Sequence, residues 1–252
     1  MANSLGKVIL LLVEGPSDEA AMELLLNNIV QEAASVSTRV EPLRVTTIDP
    51  MPGDLTSKYQ QSIEQNIVKL VNDYVKKFII NLKRSNRIKE TDVVGIVHLI
   101  DTDGAYIDKQ YIYDDEVDDD FRYEDDGIHA KSIPQVIDRN CRKTKAMNKL
   151  ASTHHINKLP YRAYFMSCNL DHVTCGERNL NKDEKIDRAD DFSDMYKDDL
   201  EGFKKFINDP ALIFEGNYQQ TWRSLSQGLN SINRHSNLHL FVNNPFGELG
   251  IE

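Results

Sequence analysis

Six apolar residues in a row, Val8 to Val13, stop abruptly at Glu14-Gly15-Pro16. An unbroken run of this kind predicts a strand buried on both faces, which points to a largely parallel, helix-covered sheet. The glycine and proline force a turn. Ser17 or Asp18 is then expected to N-cap a helix over about 18–34, where Ala21, Met22, Leu25, Leu26 and Ile29 recur at helical spacing. An acid at the carboxyl end of such a strand, beside a helix N-terminus, stands where open α/β sheets hold their ligands.

A second apolar run, residues 93–100, delivers Asp101-Thr102-Asp103-Gly104. Alternation along a strand predicts that Asp101 and Asp103 share a side. Between the two runs, 39–48 alternates like a strand, 49–54 is a proline-marked loop, and 57–82 carries one apolar helical stripe. Lys83 and Arg84 follow, where the helix dipole favours cations. The order β-α-β-α-β predicts right-handed crossovers and parallel pairing.

The next stretch changes character. Residues 108–126 hold eight Asp and two Glu against one Lys and one Arg. On charge alone this is a solvated loop inserted in the core at about 106–130. Five aromatics in or beside it (Tyr106, Tyr111, Tyr113, Phe121, Tyr123) argue instead for an ordered excursion, and a docking element is the functional alternative. The sign then reverses over 139–158, a helical stretch with Arg139, Arg142, Lys143, Lys145 and Lys149. Its cations are either a solvated face or a grip on a phosphate backbone. A strand is expected at 161–168, leading to Asn169, Asp171 and His172. Residues 176–252 read as an α-rich cap on a 1–175 core, with helices near 198–207 and 218–229 and a short strand at 238–242.

The net charge of −10 argues against binding nucleic acid through a broad basic surface, but not against a metal-dependent enzyme, because the ion supplies positive charge. No run is long enough to span a membrane. The first apolar stretch ends in Glu14 rather than a cleavage site, so no secretory signal is expected. Cys141, Cys168 and Cys175 form no paired framework, which suits reduced thiols in a cytoplasm. The spacing of Cys168, His172 and Cys175 matches no common structural zinc site. His98 and Trp222 read as core residues.

The arrangement Val13-Glu14-Gly15 with Asp101-Thr102-Asp103-Gly104 resembles the TOPRIM domain of topoisomerases, primases and several nucleases. The longer string Val13-Glu14-Gly15-Pro16-Ser17-Asp18-Glu19 is most similar to TOPRIM nucleases of the overcoming-lysogenization-defect kind and of abortive-infection systems. Ala105 departs from topoisomerases, which often add an acid there, and the chain is short for strand passage.

That resemblance implies a metal site of Glu14, Asp18, Asp101 and Asp103, with Asp171 accessory, holding Mg²⁺ or Mn²⁺. Glu14, Asp101 and Asp103 would carry the catalysis, while the phosphate-gripping reading of the basic stretch gives Arg142, Lys143, Lys145 and Lys149 to nucleic acid, with Lys143 or Arg142 alternatively stabilising negative charge in the transition state. It further implies a phage-defence nuclease acting on DNA or RNA (tRNA among the candidates), controlled by an ABC-type ATPase and self-associating. A primase-like nucleotidyl transferase and a non-catalytic binding protein on the same scaffold are the rival readings.

Overall fold

The computed structural model describes residues 6–35, 37–44, 67–85, 88–117 and 120–251. The first apolar run forms β1 (Lys7–Val13), and Val8 to Val13 are all buried, so both faces of this strand are covered. Gly15 is the N-cap of α1 (Pro16–Ala33), with Pro16 at the first helical position. The cap is therefore neither Ser17 nor Asp18. Asp18 lies three residues in, and its carboxylate reaches back to accept hydrogen bonds from the Glu14 and Gly15 N–H groups (3.0 and 2.9 Å). This is the returning half of a capping box.

The expected elements follow as β2 (Thr38–Arg44), α2 (Ile67–Arg84) and β3 (Val93–Asp101). The earlier part of the predicted 57–82 helix, the end of the 39–48 strand and the 49–54 loop lie outside the described residues. Further on come α3 (Ile133–Ala151), a hairpin of β7 (His155–Ile156) and β8 (Leu159–Met166), and α4 (Leu170–Cys175).

The main sheet has the order β2-β1-β3-β8-β7. The first four strands in that order are parallel, and β7 is antiparallel to β8. The fold is α/β, with a mostly parallel sheet flanked by helices. From β1 the chain moves to one side to make β2, then crosses back past β1 to make β3. With right-handed crossovers, that reversal sets α1 and α2 on opposite faces. It also opens a crevice between the carboxyl ends of β1 and β3.

The acidic stretch is an ordered excursion. β4 (Ile112–Asp114), β5 (Phe121–Tyr123) and β6 (Ile128–Ala130) form a small sheet of order β4-β6-β5. Ile112, Tyr123, Ile128 and Ala130 build a separate apolar cluster with Val136, Cys168 and Ile232, while Asp114, Asp115, Glu116, Asp125 and Asp126 face outward. The aromatics thus supply the core that the acids cannot.

The C-terminal part is helical: α5 (Lys182–Tyr196), α6 (Leu200–Ile207), α7 (Tyr218–Leu225), α8 (Leu238–Asn243) and α9 (Pro245–Leu249). The strand expected at 238–242 is α8. Its apolar residues Leu238, Phe241 and Val242 are buried at helical spacing, and a short apolar run does not distinguish the two states. Helices α5, α6 and α9 pack on α1, and Phe192, Phe203, Trp222 and Phe241 belong to the same core as β1 and β3. Trp222 meets Phe165 of β8 edge-to-face at 5.1 Å between ring centroids, a packing role. Among the described residues, no helix is long and apolar enough to cross a membrane.

Candidate active site

The carboxyl ends of β1, β3 and β8 lie side by side, so the acids that follow them stand along one edge, where Asp18, Asp101, Asp103 and Asp171 are near enough to act on one another. Glu14, directly after β1, is partly buried. Asp18 is folded back onto the Glu14-Gly15 turn by its two backbone hydrogen bonds. Asp101 is the last residue of β3, and its Oδ1 accepts from the Leu170 N–H (2.9 Å), tying β3 to the start of α4. Asp171 stands in the first turn of α4 and is buried.

Asp103 reaches the site by a different route from the one alternation predicts. β3 ends at Asp101, and Asp103 takes a left-handed backbone conformation with φ 47°. Few side chains other than Asn and Asp adopt that region readily. Gly104 follows with φ 65°, and a Cβ there would lie 2.5 Å from Ile232 Cγ2. The turn is tied down by hydrogen bonds from Thr102 N–H to the Met166 carbonyl and from Asp103 N–H to the Cys168 carbonyl (3.0 and 2.7 Å).

These acids strain one another electrostatically. Burial pushes the Asp18 carboxyl up to about 6, with repulsion from Asp171 adding to it, while the Gly15 and Glu14 N–H groups pull the other way. Burial, then the charges of Asp18 and Asp103, hold Asp101 well above the ordinary carboxylate range. Two ammonium groups answer this negative charge. Lys143 Nζ lies 2.6 Å from Asp103 Oδ2, and Lys185 Nζ lies 2.8 Å from Asp171 Oδ2. Burial disfavours the Lys185 ammonium, but Asp171, Asp101 and Asp18 outweigh it and hold the group protonated.

Sequence reasoning missed Lys185. Its one available signal was the capping box of Asn181 and Glu184, which starts α5 and puts Lys185 in the first turn. Lys143 was expected at a surface that meets nucleic acid, together with Arg142, Lys145 and Lys149. Instead its side chain is wholly buried among the acids. Lys145 and Lys149 are exposed, and Arg142 is partly exposed and pairs with Asp138 one turn earlier. Spacings of three and four residues keep Arg142, Lys145 and Lys149 on one face of α3.

The side of α3 turned to the strand ends holds the Asp103 turn. Arg139 Nη2 donates to the Asp103 carbonyl (2.6 Å), Asn140 Nδ2 to the Gly104 carbonyl (3.3 Å) and Thr144 Oγ1 to the Ala105 carbonyl (2.8 Å). Three successive carbonyls are thus held by one helix. His98 lies in the core, its Nδ1 2.7 Å from the Tyr161 hydroxyl, as its position in the strand suggested. Cys168 packs in the core of the small sheet, and Cys175 Sγ donates to the Asp171 carbonyl (3.0 Å). His172 is buried and pushed down to about 4, chiefly by burial and then by Arg178, so it is neutral.

Among the described residues, no group of three or more His, Cys, Asp or Glu side chains is arranged to hold a metal ion. The chemistry of the donor set fits a hard divalent cation nonetheless. The donors are carboxylate oxygens, and Asp18 and Asp101 are pushed towards their neutral forms first by burial and then by neighbouring carboxylates. A cation between them would reverse that push.

Comparison with known protein families, with curated proteins and with solved structures finds no match to this chain. What the chain does must therefore be argued from this edge of the sheet.

Proposed function

We propose that this protein is a divalent-metal-dependent nuclease on a TOPRIM-like scaffold, hydrolysing phosphodiester bonds of DNA or RNA. One observation carries the reading: Glu14 with Asp18, and Asp101 with Asp103, follow two adjacent parallel strands at the point where the strand order reverses. Glu14, Asp18 and Asp101 would hold Mg²⁺ or Mn²⁺, with Asp103 and Asp171 beside them. Such an ion, when bound, polarises a phosphoryl oxygen and lowers the pKa of water.

The chain's own groups supply the rest. Lys143 and Lys185 keep the acid cluster from charging beyond what the fold tolerates. Arg142, Lys145 and Lys149 present positive charge on one exposed helix face, suited to a polynucleotide backbone. By the same resemblance, the wider role is that of a cytoplasmic, self-associating phage-defence effector controlled by an ABC-type ATPase.

The test offers plasmid, single-stranded DNA and tRNA to the purified protein with Mg²⁺ or Mn²⁺, alone and with the product of the neighbouring gene. Cleavage that needs the metal and disappears in folded Glu14→Gln and Asp101→Asn variants supports the reading. Full activity in both variants sinks the site assignment.

A second reading has its own support. Lys143 and Lys185 already neutralise Asp103 and Asp171 with protein charges alone, as they would in a protein that keeps the scaffold and works by binding. Calorimetry separates the two, since that protein would take up neither Mg²⁺ nor Mn²⁺.

A further inference from the structure

We infer that the small acidic sheet of β4, β5 and β6 sets the position of Asp103 through Arg139, which makes Arg139 a positioning residue for the candidate metal site. This rests on the metal-site reading given above.

Among the described residues, Arg139 has side-chain hydrogen bonds that reach both parts. On one side, its Nη2 donates to the Asp103 carbonyl at 2.6 Å. On the other, its guanidinium lies over the Phe121 ring, 4.3 Å from the centroid, and beside Tyr123 at 5.9 Å. Its Nη1 also donates to the Tyr123 hydroxyl (3.1 Å). Phe121 and Tyr123 are the two ends of β5. A planar, five-donor cation that lies over one ring and bonds the hydroxyl of the next has little freedom, so the place of β5 helps to fix the place of the Nη2 proton.

Asp103 is the residue that needs such a tether. Its left-handed backbone leaves the conformation to be imposed from outside. Its N–H goes to the Cys168 carbonyl, its carbonyl to Arg139 and its carboxylate to Lys143. Of these three anchors, Arg139 leads to the small sheet by a hydrogen bond to the Tyr123 hydroxyl and by its contact with the Phe121 ring. The sheet is itself pinned to the segment before α5. Asn179 accepts from the Tyr123 N–H and donates to the Tyr123 carbonyl (3.0 and 2.8 Å), and Arg178 pairs with Asp125 (2.6 Å). The insertion is thus braced from two directions and can act as a rigid stop for Arg139.

The experiment uses the full chain and three variants: Arg139→Gln, Arg139→Lys and the milder Tyr123→Phe, which removes a hydroxyl and keeps the ring stack. Mn²⁺ binding is followed by electron paramagnetic resonance. The ¹⁵N signal of the buried Lys143 ammonium gives a metal-free report on the Asp103 pair. Melting temperature controls for folding.

Arg139→Gln is expected to weaken Mn²⁺ binding at least tenfold and to shift or broaden the Lys143 signal without metal. Arg139→Lys should fail to restore either, because one ammonium cannot both stack and fork. Tyr123→Phe should fall between, at about threefold.

Wild-type protein that binds Mn²⁺, with variants that bind equally well and leave the Lys143 signal unmoved, overturns the inference and leaves the metal site standing. Wild-type protein that binds no Mn²⁺ removes the metal-site reading. In that case an unmoved Lys143 signal in Arg139→Gln overturns the positioning role too, and a moved one upholds it for Asp103 alone.

Discussion

Lys143 and Asp103 form an ion pair of 2.6 Å in which the lysine side chain is fully buried and the aspartate is 22% exposed. The asymmetry decides which partner is more costly to lose. Asp103→Asn takes the charged partner at 2.6 Å away from a wholly buried ammonium, and about 3–5 kcal/mol of stability should go with it. Lys143→Met leaves a carboxylate that can turn partly to solvent, at about 1–3 kcal/mol. Urea denaturation of the metal-free variants should show that order, and the double variant should cost less than the sum. A larger loss from Lys143→Met would mean that the pair is not placed as described.

Asp18 makes stability depend on pH. Its carboxyl binds a proton more tightly folded, at about 6, than at its ordinary 3.8. Its stabilising contribution is therefore fully present below about pH 3.8 and lost as pH rises through about 6. In EDTA-treated protein, Asp18→Asn should gain on the wild type by about 2–3 kcal/mol between pH 4 and pH 8. Melting curves of the two proteins across that range give the difference directly. A flat difference would show that Asp18 is not under this strain.

Gly104 and Gly228 test the backbone of the Asp103 turn. Both have positive φ, 65° and 54°, but only at Gly104 does an added methyl meet a neighbour, Ile232, at 2.5 Å; at Gly228 nothing lies within 4 Å. Gly228→Ala should cost about 1 kcal/mol, the penalty of the left-handed conformation alone. Gly104→Ala should cost about 2–4 kcal/mol, because overpacking adds to that strain. Chemical denaturation of both variants, at equal protein concentration, separates the two contributions.

If the exposed cations of α3 meet a polynucleotide, they should do so through phosphates. Replacing Arg142, Lys145 and Lys149 with Gln should weaken binding similarly for unrelated sequences, and should lower the slope of log affinity against log salt by about 2–3. Fluorescence anisotropy at several salt concentrations measures this. An unchanged slope would assign these residues to solvent.

Where the sequence was legible, one strong local signal was enough. The runs ending at Val13 and Asp101 are strands because nothing but double-sided burial accommodates so many apolar residues together. Asp18 and Asp101 come close enough to repel because parallel strands end on the same edge. The small sheet was hinted at only by its aromatics, since strands of three residues carry too little periodicity to read. Lys143 and Lys185 were illegible in their roles for another reason. A lysine on a helix is usually solvated, and only the packing of α3 and α5 against the strand ends turns these two inward. The error at Leu238–Asn243 has a third cause, because six residues with an apolar side satisfy either period.

Helix α5 lies along α1 and brings Lys185 to within 2.8 Å of Asp171. The last third of the polypeptide therefore completes what the first half begins. Excising it would strip the first crossover of its cover and leave mutually repelling carboxylates short of a counter-ion. Lys185 and the helix that carries it must be in place before that electrostatic tension is relieved.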